Sequence, residues 1–411
     1  MSAQAPADWA TVKLGDIGDA LIGLTYQPSS VRPFGTLVLR SSNVQDNELS
    51  FEDNVYVDSA IPERIRVRYG DILICVRNGS RTLIGKSARL DERVVGETFG
   101  AFMAVFRSQA NEYLHYYFQS DAFKQQVDQH LGATINQITN ASLKSFTVTL
   151  PPLDERARIV GQLRDATALV SALQCLLAKK EDIREGIAQD LFAARVRLPG
   201  FSSPWTEIRL GDVGSTYSGL AGKSKADFGS GSSRYVTFVD VINSARVRGD
   251  VLEPVVVGSS ERQNQVVRGD LLFNGSSETP EEVALGAAVD FDPEPGTYLN
   301  SFCFGYRIAR RHLVDPMYLA FMTRSHIGRR LVFSLAQGAT RYNISKRQFL
   351  NLAPAFPPIE EQQAITAVLT DADTEIAASK KHLAKAKAIK EGMAQQLLAG
   401  RVRLPNPEPV A

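Results

Sequence analysis

Two turns of the 411-residue chain combine the side chains that hydrogen-bond best to nucleic-acid bases. The first, V-R-N-G-S-R, brings Arg77, Asn78, Ser80 and Arg81 together and is followed by Lys86. The second, G-A-T-R-Y-N-I-S, carries Thr340, Arg341, Tyr342 and Asn343 and is followed by Lys346 and Arg347. Arg and Asn offer paired hydrogen-bonding groups that match the major-groove edges of guanine and adenine. Both turns lie in acid-free stretches. Between Asp71 and Asp91, Arg77, Arg81, Lys86 and Arg89 give +4; from Pro316 to Ile359, Arg324, Arg329, Arg330, Arg341, Lys346 and Arg347 give +6. Such stretches can neutralise phosphates and release their counterions; a solvated surface run is the ordinary alternative. The matching turns, G-A-T-I-N-Q-I-T (Thr134, Asn136 and Gln137, then Lys144) and N-G-S-S-E (Asn274, Ser276 and Ser277), are polar but hardly basic. Arg40, Ser42, Asn43 and Arg234 complete the candidate DNA-contacting set.

Catalytic constellations do not emerge. I-G-K-S at Ile84–Ser87 and A-G-K-S at Ala221–Ser224 look like phosphate-binding loops, but the position that must be glycine is Ser80 in one and Tyr217 in the other. No Asp or Glu has a Lys two residues later, so the common metal-dependent nuclease pattern is missing. A G-x-S-x-G elbow, an N-P-P-aromatic run and an H-E-x-x-H helix are missing too. Three dispersed cysteines and five scattered histidines offer no zinc spacing. No stretch approaches the roughly 18 apolar residues of a membrane span. These features predict a non-enzymatic, cytoplasmic chain that binds no metal or cofactor itself. The net charge of +1 neither demands nor excludes a polyanionic partner.

The elements that must hold these turns come in two copies. R-V-R-L-P occurs at Arg195–Pro199 and again at Arg401–Pro405, and a shift of 206 residues aligns 151–199 with 357–405 without a gap, nearly half the positions being identical. Trp9–Gly18 matches Trp205–Gly214, and Y-G-D-I-L-I matches R-G-D-L-L-F. The plan is therefore module (1–150), connector (151–199), module (200–356) and connector (357–405), with a tail at 406–411. Each connector predicts one long helix, opened by Pro-Pro and acids. Its seven-residue apolar stripe, Leu163, Val170 and Leu177 in one copy and Leu369, Ile376 and Leu383 in the other, predicts a coiled-coil seam continued by Ile183, Ile187 and Leu191 and by Ile389, Met393 and Leu397. The modules, with short β-branched and aromatic runs between Gly/Ser/Asn turns and one helical stretch each, read as mixed α+β domains. Apart from the short motifs they resemble each other little. A constant half and a diverged half suggest two partner docks joined to two different readers.

In this order, twice over, the W-x-x-x-x-L-G-D opening, the G-D-[IL]-L strand, the G-A-T turn, the T-L-P-P-L-D-E-R and A-F-P-P-I-E-E-Q segments and the closing R-V-R-L-P resemble the specificity subunit of type I restriction-modification systems over nearly the whole chain. The resemblance implies two target recognition domains, each reading half of a split double-stranded DNA target. It implies repeated helices that form an antiparallel coiled coil, spacing the readers and docking two modification (methyltransferase) subunits. Restriction subunits would join through the complex, and S-adenosylmethionine would belong to the methyltransferase partner. The second module departs from the pattern: R-G-D-L-L-F-N-G-S-S-E has no arginine where the first has Arg77. Two other readings stand beside this one: the specificity module of a related phage-exclusion or single-chain system, and a coiled-coil scaffold for proteins.

Overall fold

The computed structural model describes residues 6–131, 136–279, 282–333, 335 and 342–405. The chain divides into two units: residues up to Gln174 together with those from Lys381 onward, and residues Cys175–Lys380. Each unit therefore holds one module, half of the first long helix, α1 (Leu153–Phe192), and half of the second, α2 (Ile359–Leu398). The helix expected from about 154 to 194 is α1.

In the first unit, strands β1 (Asp19–Ile22), β2 (Ile72–Cys75), β3 (Ser87–Arg89) and β4 (Met103–Arg107) form an antiparallel sheet ordered β1-β4-β2-β3. In the second, β5 (Gly214–Ser218), β6 (Asp270–Asn274), β7 (Gly286–Ala288) and β8 (Cys303–Ile308) repeat that order as β5-β8-β6-β7. A second sheet in each unit contains a parallel pair, Thr36–Leu39 with Thr98–Phe99 and Phe228–Val236 with Thr297–Leu299. Two sequences with little in common thus build one topology.

The short shared motifs show how. The G-D aspartates, Asp71 and Asp270, are buried, and each forms a bidentate pair with an arginine near the end of the neighbouring strand: Arg107 at 2.6 and 2.8 Å, Arg307 at 2.7 and 2.8 Å. Each aspartate also accepts a hydrogen bond from the backbone N–H of Arg68 or Val267, fixing the turn before its strand. The glycine closing the L-G-D opening lies against the same arginines: a Cβ on Gly214 would stand 2.6 Å from the Arg307 carbonyl oxygen, and one on Gly18 2.8 Å from that of Arg107.

The repeated R-V-R-L-P has an equally specific role. In the second unit, Arg197, just past α1, forms two charge-assisted hydrogen bonds of 2.5 and 2.6 Å to Glu361 in the first turn of α2. In the first unit, Arg403, just past α2, makes the same bonds at 2.6 and 2.7 Å to Glu155 in the first turn of α1. Both glutamates are buried, and each guanidinium lies over a module-opening tryptophan, Trp205 or Trp9. The sequence places Glu361 206 residues after Glu155 and Arg403 206 after Arg197, so the two clamps are equivalent positions exchanged between repeats. They bring the end of one helix to the start of the other, as an antiparallel pair requires. They are not identical: Trp9 Nε1 donates to Glu155 at 3.1 Å, whereas the buried Trp205 Nε1 has no hydrogen-bond partner among the described residues.

Along the helices, Ile159, Val160 and Leu163 share a core with Leu397 in the first unit, and Ala188, Leu191 and Phe192 share one with Ile365 and Leu369 in the second. Of the expected seam, Leu163, Val170 and Leu369 are buried, and Leu177, Ile376 and Leu383 half-buried. The continuation differs from expectation: Ile183, Ile187 and Ile389 are exposed, while Leu191 and Leu397 are buried. Counting by sevens from Leu163 and Leu369 leads to Arg184 and Lys390, and both are partly buried. Arg184 bonds Asp373 at 2.8 Å, so an ion pair stands where the apolar pattern suggested an isoleucine.

The clamp has a measurable weight. Removing one partner of a buried pair strands the other charge, so Arg197→Ala should cost about 3 kcal/mol, seen as a lowered thermal unfolding midpoint. Ala194 and Gly400, at the same place in the two repeats, both have left-handed φ, +54° and +66°. Ala194→Gly should therefore raise stability by about 1 kcal/mol in the same measurement, with Gly400 as the natural precedent.

Candidate nucleic-acid interface

In each unit three chain segments run side by side beyond the end of the four-stranded sheet. In the first, the backbone N–H groups of Val76 and Arg77 donate to the Phe102 carbonyl at 3.1 Å, and on the other side Ile138 N donates to the Val76 carbonyl at 2.8 Å. Arg77 and Gln137 form a bridge. In the second, Gly275 N donates to the Phe302 carbonyl at 2.8 Å and Ile344 N to the Gly275 carbonyl at 3.1 Å, with Ser276 and Ser277 paired to Asn343 and Tyr342. The topology therefore makes one ridge twice, and different side chains line the copies.

On the first ridge Arg77, Ser80, Arg81, Asn136 and Gln137 are exposed, and the Arg77 guanidinium stacks 5.0 Å from the Phe102 ring centroid. Asn78 shapes the turn: its Oδ1 accepts from Ser80 N at 2.9 Å and its Nδ2 donates to Ser41 at 3.1 Å, tying in the segment after Leu39. On the second ridge Asn343 and Arg347 are exposed and Tyr342 half-buried; Lys346 is half-buried and donates to Ser218 at 2.5 Å. Burial holds the Lys346 ammonium below the ordinary lysine pKa. Thr134, Thr340 and Arg341 lie outside the described residues.

Other candidates stand in different surroundings. Asn43 is fully buried; its amide donates to the carbonyl oxygen of Ser50 and to Asn54, and its oxygen accepts from Arg40 N. Asn274 is fully buried between the Glu282 carbonyl, 2.5 Å away, and Leu285 N, 2.7 Å away. Ser276 and Ser277 are buried as well, and Ser277 donates to Glu282 at 2.9 Å. The side chains of Asn43, Asn274 and Ser277 thus brace the fold. Ser42 Oγ is enclosed without a hydrogen-bond partner among the described residues. Arg40 is paired with Asp53 at 2.8 Å, Lys144 with Asp19, and Lys86 donates to the Val44 carbonyl at 2.8 Å, burial lowering its pKa. Arg234 is exposed but lies on the second sheet of its unit, opposite Pro254 and Thr297.

The acid-free run after Pro316 divides in the same way. Arg324 donates to the carbonyls of Gly286, Ile242 and Val241, and burial brings its pKa down to about 10. Arg329 donates to the Val283 carbonyl. Part of the expected +6 therefore holds secondary structure together, while Arg330 and Arg347 remain exposed. Among the described residues no group of His, Cys, Asp and Glu gathers to hold a metal ion, and no helix is long and apolar enough to cross a membrane.

Two ridge residues escaped the sequence reading. Phe102 and Phe302 are each 57% exposed and occupy the same place beside the two turns. Their signal is F-M-A-V-F-R against F-C-F-G-Y-R, an F-x-x-x-[FY]-R pair that also contains the arginines of the G-D clamps.

Residues 6–181 match the type I restriction modification DNA specificity domain. The chain is 22% identical over 385 residues to the specificity subunit of the type I restriction enzyme StySPI from Salmonella potsdam, covering 88% of this chain and 81% of the relative. It is 23% identical to the putative MjaX specificity subunit from Methanocaldococcus jannaschii, covering 98% of this chain and 95% of the relative. Its fold is that of a chain solved in work on complex assembly and conformational transition of the type I R-M system, with a TM-score of 0.60 at 18% identity over 97% of this chain and 100% of the other. The S subunit from M. genitalium aligns with a TM-score of 0.53 at 13% identity, over 97% of this chain and 98% of that one. Along nearly its whole length the chain is similar to the specificity subunits of type I restriction enzymes, and residues 6–181 carry the match to their DNA specificity domain.

The division between bracing and exposed residues is testable on the free protein. Asn274→Ala leaves the Leu285 N–H and the Glu282 carbonyl unpaired in the interior and should cost about 1–3 kcal/mol. Arg77→Ala, on the exposed ridge, should change stability by no more than about 0.5 kcal/mol. Denaturant titration of both variants checks the contrast.

Proposed function

We propose that this chain is the sequence-reading subunit of a type I restriction-modification complex, each module applying its three-segment ridge to one half of a bipartite, asymmetric double-stranded DNA target. The observation that carries this reading is the ridge built twice on one topology with different accessible groups: Arg77, Asn136 and Gln137 on one, Asn343, Lys346 and Arg347 on the other. Hydrogen-bonding side chains of this kind discriminate base pairs in the major groove, and two unlike ridges give an asymmetric target. The domain division at 1–150, 151–199, 200–356 and 357–405 follows from the same reading.

The helices then set the distance between the two readers, and their repeated sequences offer two nearly identical surfaces, as docking two copies of one methyltransferase subunit requires. The seam of Leu163, Val170, Leu177, Leu369, Ile376 and Leu383 holds the helices to each other. Methyl transfer from S-adenosylmethionine belongs to the partner subunits, and cleavage to restriction subunits that join the complex. The part of this chain is to hold the target in register.

Exchanging residues 200–356 for the corresponding module of another specificity subunit tests the reading, with the methylation motif of cells expressing the hybrid as the measurement. The hybrid should keep the half-site read by residues 1–150 and the spacing, and acquire the donor's second half-site; a change in both half-sites at once contradicts independent readers. Arg347→Ala should weaken binding evenly across sequences and reduce the salt slope of DNA binding by about one. An unchanged slope removes Arg347 from the interface.

A further inference from the structure

We propose that Phe102 and Phe302 are base-contacting residues, one in each reader, and that each determines the preference at one position of its own half-site. The inference rests on the proposed DNA reading and deepens it. Both rings occupy the third position of a hydrogen-bonded turn, closed by Met103 N to the Gly100 carbonyl at 2.8 Å and by Cys303 N to the Asn300 carbonyl at 3.0 Å. The next residue in each case, Met103 or Cys303, is buried where its strand begins, while the phenylalanine, still in the turn, is exposed. The carbonyl of each phenylalanine is held by the polar turn beside it. The ring is therefore anchored by its backbone on the ridge and is not a side chain on a loose loop.

Elsewhere on these turns the modules differ: Gly100 and Ala101 in one stand where Asn300 and Ser301 stand in the other. Both modules nevertheless keep a phenylalanine here, more than half exposed in each. The company of Phe102 is cationic and polar, with Arg77 stacked on it, Gln137 beside Arg77 and Arg81 on the same turn. Cations for phosphates, amides for base edges and one rigid apolar ring match duplex DNA. There the ring can cover a thymine methyl group or the face of a base exposed at an unstacked step.

The test uses the full chain assembled with its modification subunit, in the wild-type form and as Phe102→Ala, Phe302→Ala and Phe102→Tyr. Each is used to select from a library of randomised duplexes, and affinity for the wild-type target is then measured. Phe102→Ala should lose the preference at one position of the first half-site, leave the second half-site unaltered, and bind the wild-type target about tenfold more weakly, a step of 1.4 kcal/mol. Phe302→Ala should do the converse, and Phe102→Tyr should retain the preference. Deoxyuridine in place of thymidine at the affected position separates the two contacts: it lowers affinity for a methyl contact and leaves it unchanged for a base face. An alanine variant that selects the same motif with wild-type affinity overturns the assignment, as does a loss equal on target and random duplex. A wild-type complex that selects no bipartite motif overturns the DNA reading together with it.

Discussion

The structure depends on two carboxylates that are kept out of water. Glu155 and Glu361 stand in the first turns of the long helices with almost no solvent contact, and a carboxylate so placed needs a cation held against it. Each finds its arginine at the end of the other repeat. The pairing imposes an antiparallel course on the helices and brings the module-opening tryptophans under the guanidinium groups. R-V-R-L-P recurs because its second arginine must fit the same buried acid twice.

Within each module a second buried acid does similar work at smaller scale. Asp71 and Asp270 fix the turn that enters a central strand and an arginine near the end of its neighbour, and a glycine lets the first strand pass close to that arginine's backbone. These few positions are enough to build one sheet order from two sequences that otherwise differ. The ridge beyond the sheet is then held by backbone hydrogen bonds, which make no demand on the side chains at Arg77 and Ser276 or at Gln137 and Asn343. That separation lets the side chains of the ridge differ between the modules without loss of the fold.

The duplication, the long helices and the α+β character of the modules were legible in residues 151–199 and 357–405 and in the strand and turn runs between them, because repetition and periodicity are local properties of a sequence. The polar groups were harder to sort. Asn43 and Asn274 have the chemistry of base readers, but the same donors and acceptors serve backbone groups many residues away, and only the folded chain decides which use prevails. Arg324 added to an apparent basic patch although it is spent on three interior carbonyls. Arg184 and Lys390 interrupt the apolar stripe at the same position in both copies, and the isoleucines that continue the pattern in sequence, Ile183, Ile187 and Ile389, are exposed. Phe102 and Phe302 were passed over for the opposite reason: a phenylalanine next to a strand reads as core, and its outward direction depends on a turn formed in three dimensions.

The most direct test of a constant frame carrying two variable readers is amide hydrogen exchange of the assembled complex with and without a duplex bearing its target. Slowed exchange should fall on the ridge backbone around Arg77, Phe102 and Gln137 and around Phe302, Asn343 and Arg347, while the amides of Leu153–Phe192 and Ile359–Leu398 keep their rates. Protection confined to the long helices, with both ridges unchanged, would contradict the account.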